Sequence, residues 1–137
     1  VRAVLVAGAC ALLAAACAPA AAPDHCDAAA LRSVQAAHAN RTEVTLCGVV
    51  VRSGRLRRSR SGAHRVFIVD AGGGDRVEVD ANIDVMGDFP IRSGEHAVVR
   101  GEYYYDGAGR DGVHWTHRTD RGNHPPGYVT LDGVTYR

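Results

Sequence analysis

The sequence predicts a mainly β domain, a small five-stranded barrel with an N-terminal helix and a C-terminal β-hairpin. Apolar residues recur with period two after Glu43, as they do in half-buried strands. Glycine clusters and one Asp-Gly pair punctuate those runs. A single helical pattern precedes them. The chain of 137 residues has room for one such domain, and 46% hydrophobic with 23% charged residues is the balance of an ordinary globular protein.

The helix is expected from Asp24 to about Ala39. Asp24 would cap its first turn, with Asp27 in a weak capping-box position. Ala28, Leu31, Val34, Gln35 and His38 share one face, and Asn40 would end the helix. Val44, Leu46 and Val50 then alternate around Gly48, where a bulge or bend is expected. A second strand is expected over Arg65–Val69. A third runs from Arg76 to Asn82, with Val77, Val79 and Ala81 inward and Arg76, Glu78, Asp80 and Asn82 outward. Ala71 to Asp75 forms the hairpin loop between them. After an irregular stretch from Ile83 to Arg92, strands are expected over Glu95–Tyr105 and Val113–Thr119, separated by Gly107, Gly109 and Gly112. Asp132-Gly133 between two β-like runs predicts a two-residue hairpin. Five strands, a glycine in the first and an irregular segment after the third match an OB-fold-like outline. A β-sandwich is the alternative.

The stretch Ala3–Ala16 is apolar but shorter than the ~20 residues that span a bilayer, so it reads as an export signal. Residues 1–17 are assigned to that signal, 18–25 to an Ala/Pro linker and 26–137 to the single β-barrel domain. Leu13 to Cys17 resembles a lipoprotein box, which would lipidate Cys17. Cleavage after Ala18-Pro19-Ala20 is the competing route. The protein is therefore expected to be exported, as a periplasmic or membrane-anchored lipoprotein of a bacterium. Either route leaves Cys26 and Cys47, which favours a disulfide over two buried thiols.

With 16 basic and 15 acidic residues, uniform coating of nucleic acid is excluded, and electrostatic recognition must be local. Arg52, Arg55, Arg57, Arg58, Arg60 and Arg65 lie in one segment with no acidic residue among them. It is expected to be the flexible connection between the first two strands. The loop carrying Tyr105, Asp106, Arg110 and Asp111 is expected to lie beside it, at the groove that OB-folds use. Arg55, Arg57, Arg58, Arg60, Arg65 and Arg110 thus form a candidate anion site, since guanidinium groups bind phosphates and carboxylates bidentately. A merely solvated loop is the competing reading. The expected partner is an anionic envelope component or another envelope protein. Nucleic acid is not expected, because the third strand offers no aromatic platform. Membrane contact would come through the anchor at Cys17 alone.

The densest constellation is Gly112-Val113-His114-Trp115-Thr116-His117-Arg118-Thr119-Asp120, followed by His124. Together with His64–Val69, Asn82-Ile83-Asp84, Gly94-Glu95, Gly101-Glu102-Tyr103 and Gly133–Tyr136, it resembles domain-of-unknown-function family 3465. The resemblance covers about Glu43 to Tyr136. It implies a small exported bacterial protein with no established activity, so it supplies no substrate and no catalytic residue. The family pattern commonly has histidines where this chain has Arg118 and Ala81, and their loss weakens a metal reading. Strand alternation would put Val113, Trp115 and His117 inward, and His114 and Thr116 outward. His117 could converge with Asp120 and His124 on a divalent transition metal, the one cofactor that such a set would take. Structural hydrogen bonds are the simpler role for these histidines. Gly-x-Ser-x-Gly, phosphate-loop and His-Glu-x-x-His motifs are absent, so no catalytic residue is assigned. Arg65, Asp70, Glu78 and Asp80 could be cast in nuclease-like roles, and a weak OB-fold phosphodiesterase is the remaining alternative.

Overall fold

The computed structural model describes residues 25–119 and 121–137. The expected signal, Cys17, most of the linker, Asp24 and Asp120 lie outside them. The element order is α1 (Ala28–Ala36), β1 (Thr42–Ser59), β2 (Gly62–Asp70), β3 (Arg76–Asn82), α2 (Ile83–Met86), β4 (His96–Tyr105), β5 (Asp111–His114), β6 (Tyr128–Leu131) and β7 (Val134–Tyr136).

These strands make one mainly β sheet that turns back on itself. The order is β1-β2-β3-β5-β4-β6-β7, and β1 pairs with β4 as well as with β2. Five strands thus close a ring. Two facing sheets, as in a sandwich, are not what forms. All neighbours are antiparallel except β3 and β5, which run parallel through Glu78↔Gly112 and Val79↔Val113.

The ring closes because β1 is long and bent. Its first part, Thr42 to Val49, pairs with β4, and its second part, Val49 to Ser59, pairs with β2. The register shifts between Val50 and Arg52 and again between Arg52 and Arg55. Bulges of this kind bend a strand and increase its twist. They fall just beyond Gly48, where the bend was expected. Gly48 itself permits close approach, since a Cβ there would collide with the Asp70 carbonyl.

The arginine segment is not a flexible connection. Arg55 to Ser59 pairs residue by residue with Gly62 to Val66, and the reversal is confined to a tight turn at Arg60 and Ser61. Hydrophobic periodicity could not show this, because the strand there projects as a hairpin with its side chains largely exposed.

The ring interior is filled by alternate residues: Val44, Leu46 and Val50 of β1, Phe67 and Val69 of β2, and Val77, Val79 and Ala81 of β3. Ala97, Val99 and Tyr103 of β4, Val113 of β5 and Val129 of β6 complete it. β3 has the predicted boundaries and the predicted inward set. β5 is shorter than expected, because Trp115 takes a positive φ of 54° and ends it. The alternation is lost there. Thr116, expected outward, is fully buried and donates to the Asp80 carbonyl at 3.1 Å. The C-terminal hairpin forms as expected. Asp132 and Gly133 both have positive φ, 44° and 86°, which suits the tight turn that matches strand twist.

Helix α1 covers one end of the ring with Leu31 and Val34. Its cap is Asp27, not Asp24: the carboxylate accepts from the Ala30 N–H at 2.8 Å. It stops at Ala37, short of Asn40. Gln35 donates to Asp75 at 3.0 Å, and His38 stacks on Tyr105 with ring centroids 4.1 Å apart. The disulfide joins Cys26 to Cys47, with Cα atoms 5.5 Å apart. Only two helix side chains are buried, so the covalent clip carries much of the docking. A loop of about 20 residues corresponds to ~3 kcal/mol of closure entropy. Replacing both cysteines with serine is expected to lower unfolding stability by about that amount in urea titration, with the other strands retained.

Candidate functional site

The outer face of β2, β3 and β5 is set by register. Residues directly opposite on neighbouring strands point to the same side. Arg55, Val66 and Asp80 form one row across β1, β2 and β3. Glu78, Gly112 and Tyr104 form the next across β3, β5 and β4. Gly112 has no side chain, so the Tyr104 ring lies over β5 and reaches β3. Its hydroxyl stands 3.3 Å from both Glu78 Oε1 and Asp80 Oδ2. A Cβ on Gly112 would sit 2.6 Å from that hydroxyl oxygen and 2.6 Å from the Glu78 carbonyl oxygen.

Arg57 closes the arrangement from the hairpin side. It donates through Nη1 to Glu78 Oε1 at 3.1 Å and through Nη2 to Asp80 Oδ1. Asp80, expected on a solvated face, is therefore buried beneath Arg57 and Tyr104. Burial raises its pKa above the ordinary carboxylate range and Glu78 adds to this, while the Arg57 charge pulls in the opposite direction. Tyr104 is likewise raised, first by burial and then by the two carboxylates. The phenol stays a neutral donor.

Above this floor lies a cleft of about 550 Å³. Arg55, Arg57, Ser59, Ser61 and His64 line it from the β1–β2 hairpin. Asp106, Gly109, Arg110 and His114 line it from the β4–β5 side. His64 Nδ1 donates to the Gly62 carbonyl at 3.1 Å, and His114 Nε2 donates to Glu102 at 3.0 Å.

The six arginines assigned from sequence separate. Arg55, Arg57 and Arg110 line the cleft. Arg58 alternates away from Arg57 along β1, and Arg60 sits in the exposed turn. Arg65 forms a two-point pair with Asp88, at 2.8 and 2.6 Å, beside a different hollow. The nuclease-like quartet separates too, since Asp70 accepts from the Gly72 N–H in the β2–β3 loop. Alternation places His114 outward, where it is found, but does not single out His64 or Tyr104. The pairing of Gly112 with Tyr104, which only the register supplies, is what brings Tyr104 into the cleft.

The histidine segment occupies another place. His117 and His124 are buried, with ring centroids 4.8 Å apart, and Trp115 lies 4.4 Å from the His124 ring. His117 Nδ1 bonds the Arg118 carbonyl at 2.6 Å and His124 Nδ1 the Pro125 carbonyl at 2.7 Å. Asp120 is outside the described residues. Among the described residues no three His, Cys, Asp or Glu gather as a metal site. The Gly127 N–H donates to the His117 carbonyl at 2.8 Å, and a Cβ on Gly127 would press within 2.6 Å of the Arg100 carbonyl oxygen.

The chain matches the family described as Protein of unknown function (DUF3465) over residues 12–137. It belongs to that family. The match extends well before Glu43, taking in α1 and both cysteines of the disulfide. DUF3465 thus describes the whole ring with its helix. No curated protein and no solved structure matches the chain significantly. In this member, the His-Trp-Thr-His tetrad marks the place where β5 leaves the sheet and Thr116 fastens to β3.

A smaller hollow of about 310 Å³ lies on the α1 side, lined by His25, Asp27, Glu43 and Arg100 among others. Both Glu43 carboxylate oxygens are buried and lack a close hydrogen bond among the described residues. Arg100 Nε stands 3.8 Å from Oε2 as a loose ion pair. Burial raises the Glu43 pKa more than the Arg100 charge lowers it. The folded carboxyl thus keeps its proton to higher pH than the unfolded one. Stability falls as pH rises from the ordinary carboxylate range through the raised value, and above it the cost is complete.

Two outcomes follow. Glu43→Gln is expected to raise the thermal midpoint at roughly pH 8 and to change it little at roughly pH 3, where the carboxyl is protonated in both folded and unfolded chains. Gly112→Ala is expected to push Tyr104 off the carboxylates and cost about 1–3 kcal/mol in urea unfolding.

Proposed function

We propose that the ring is an OB-fold barrel and that the cleft between its β1–β2 and β4–β5 hairpins binds an anionic ligand. The strand order with a parallel β3–β5 contact supports the barrel, and the hairpins are those that border ligands on OB-folds. One observation carries the ligand reading. Arg55 and Arg110 enter the same cleft from opposite hairpins, and neither has a carboxylate partner among the described residues. Two arginines left open on facing hairpins suit anionic groups, which guanidinium binds with paired hydrogen bonds.

The protein on this reading is an exported, non-enzymatic binding or accessory module. The Cys26–Cys47 disulfide supports an oxidising compartment. The leader and Cys17 supply the expected route there, with or without a lipid anchor. The partner is an anionic envelope component. Nucleic acid fits poorly, because Tyr104 is the one Phe, Tyr or Trp among the described residues that line the cleft, and carboxylates stand beside it.

Binding of three small anionic probes, tripolyphosphate, digalacturonate and glucose 1,6-bisphosphate, tests the reading by titration calorimetry. Replacing Arg55 and Arg110 together with serine is expected to weaken whichever probe binds by about tenfold or more. The pair Arg58→Ser and Arg60→Ser serves as the control and is expected to bind as the parent does. Equal affinity in the Arg55/Arg110 variant, or no binding of any of the three probes by the parent, overturns the reading.

A further inference from the structure

Arg55 and Arg110 suit anionic groups, but the floor between them does not. The cleft lining carries three arginines, Arg55, Arg57 and Arg110, against three acids, Glu78, Asp80 and Asp106. A continuous polyanion laid along it would meet two carboxylates at its centre. Arg57 cannot turn to greet such a ligand without leaving both carboxylates bare, because its two terminal nitrogens are committed to them.

The centre of the cleft accepts hydrogen bonds instead. Arg57 and Tyr104 both donate to Glu78 Oε1, and Oε2 has no donor among the described residues. His64 holds its Nδ1 proton against the Gly62 carbonyl, which leaves Nε2 an acceptor in the neutral ring. Ser59 and Ser61 add hydroxyls at the rim and already bond each other at 2.8 Å. Tyr104 gives no free phenol, since its hydroxyl is held against the two carboxylates. A ligand that fits must therefore offer donors in the middle and anionic groups at the ends.

Hydroxyl groups on an acid meet that description. We propose that the cleft recognises an acidic saccharide, its ring hydroxyls donating to Glu78 and His64 and its acidic groups pairing with Arg55 and Arg110. This rests on the anion-binding reading of the same cleft and adds the class of ligand. The acid is a carboxylate or a phosphate, and both present paired oxygens to guanidinium.

Three probes compared at one salt concentration test it: digalacturonate, glucose 1,6-bisphosphate and tripolyphosphate, which lacks ring hydroxyls. The expected result is that at least one of the two saccharides binds about tenfold or more tightly than tripolyphosphate. That saccharide identifies the acid. Glu78→Gln is expected to weaken saccharide binding about tenfold while leaving tripolyphosphate unchanged or tighter. Because Glu78→Gln also loosens Arg57, His64→Phe provides a second test and is expected to weaken the saccharides several-fold without affecting tripolyphosphate. If tripolyphosphate binds as tightly as the saccharides, and still depends on Arg55 and Arg110, the saccharide inference falls and the anion site stands. If no probe binds, both fall.

Discussion

Two-edged pairing of β1 is the constraint on which the rest depends. At Val49 the same strand is opposite Asp70 on one side and His96 on the other. Before that residue its partner is β4, and after it β2. A flat strand could not serve both, because neighbouring strands diverge as a sheet twists. The register shifts beyond Val50 and the missing side chain at Gly48 let it turn. Closure of the ring then fixes which residues share the outer face. Asp80 becomes a neighbour of Arg57 and Tyr104 through that closure and not through any sequence proximity.

The outer-face cluster shows how a small vacancy organises a site. Gly112 contributes nothing but space, and Tyr104 uses it to reach across a strand. Arg57 and Tyr104 both reach the buried Asp80 and its neighbour Glu78, and two carboxylates against one guanidinium leave the floor acidic. A buried charge left unpaired is costly, and these contacts are what make the cluster tolerable. The arginines at the cleft margins are a different kind of group. They are exposed, line the cleft from different hairpins and have no carboxylate partner among the described residues.

Some of this was legible in the sequence. The third strand is readable because apolar and polar residues alternate without interruption from Arg76 to Asn82. The Asp132-Gly133 turn is readable because few residue pairs accept positive φ twice in succession. The arginine hairpin is not, since Arg, Ser and Gly suit a solvated loop and a projecting strand equally well. Its strand character comes from backbone pairing with β2. The end of β5 is equally hidden: alternation continues past His114 on paper, but the positive φ of Trp115 turns Thr116 inward. The cleft depends on a register between β3, β4 and β5 that no local pattern encodes. Recognition of the family, by contrast, followed from the order of short motifs, several of which coincide with points where the sheet turns or crosses itself.

The most direct test of this account is residue-resolved amide hydrogen exchange on the folded chain. Closure predicts slow exchange at alternate amides from Thr42 to Val49, which bond to β4, and also at alternate amides of the later part of β1, which bond to β2. It predicts that the two sets lose protection together under mild denaturant, as one cooperative unit. Rapid exchange throughout Thr42 to Val49, with the β2 pairing still protected, would mean an open sheet. The cleft would then lose the floor described for it.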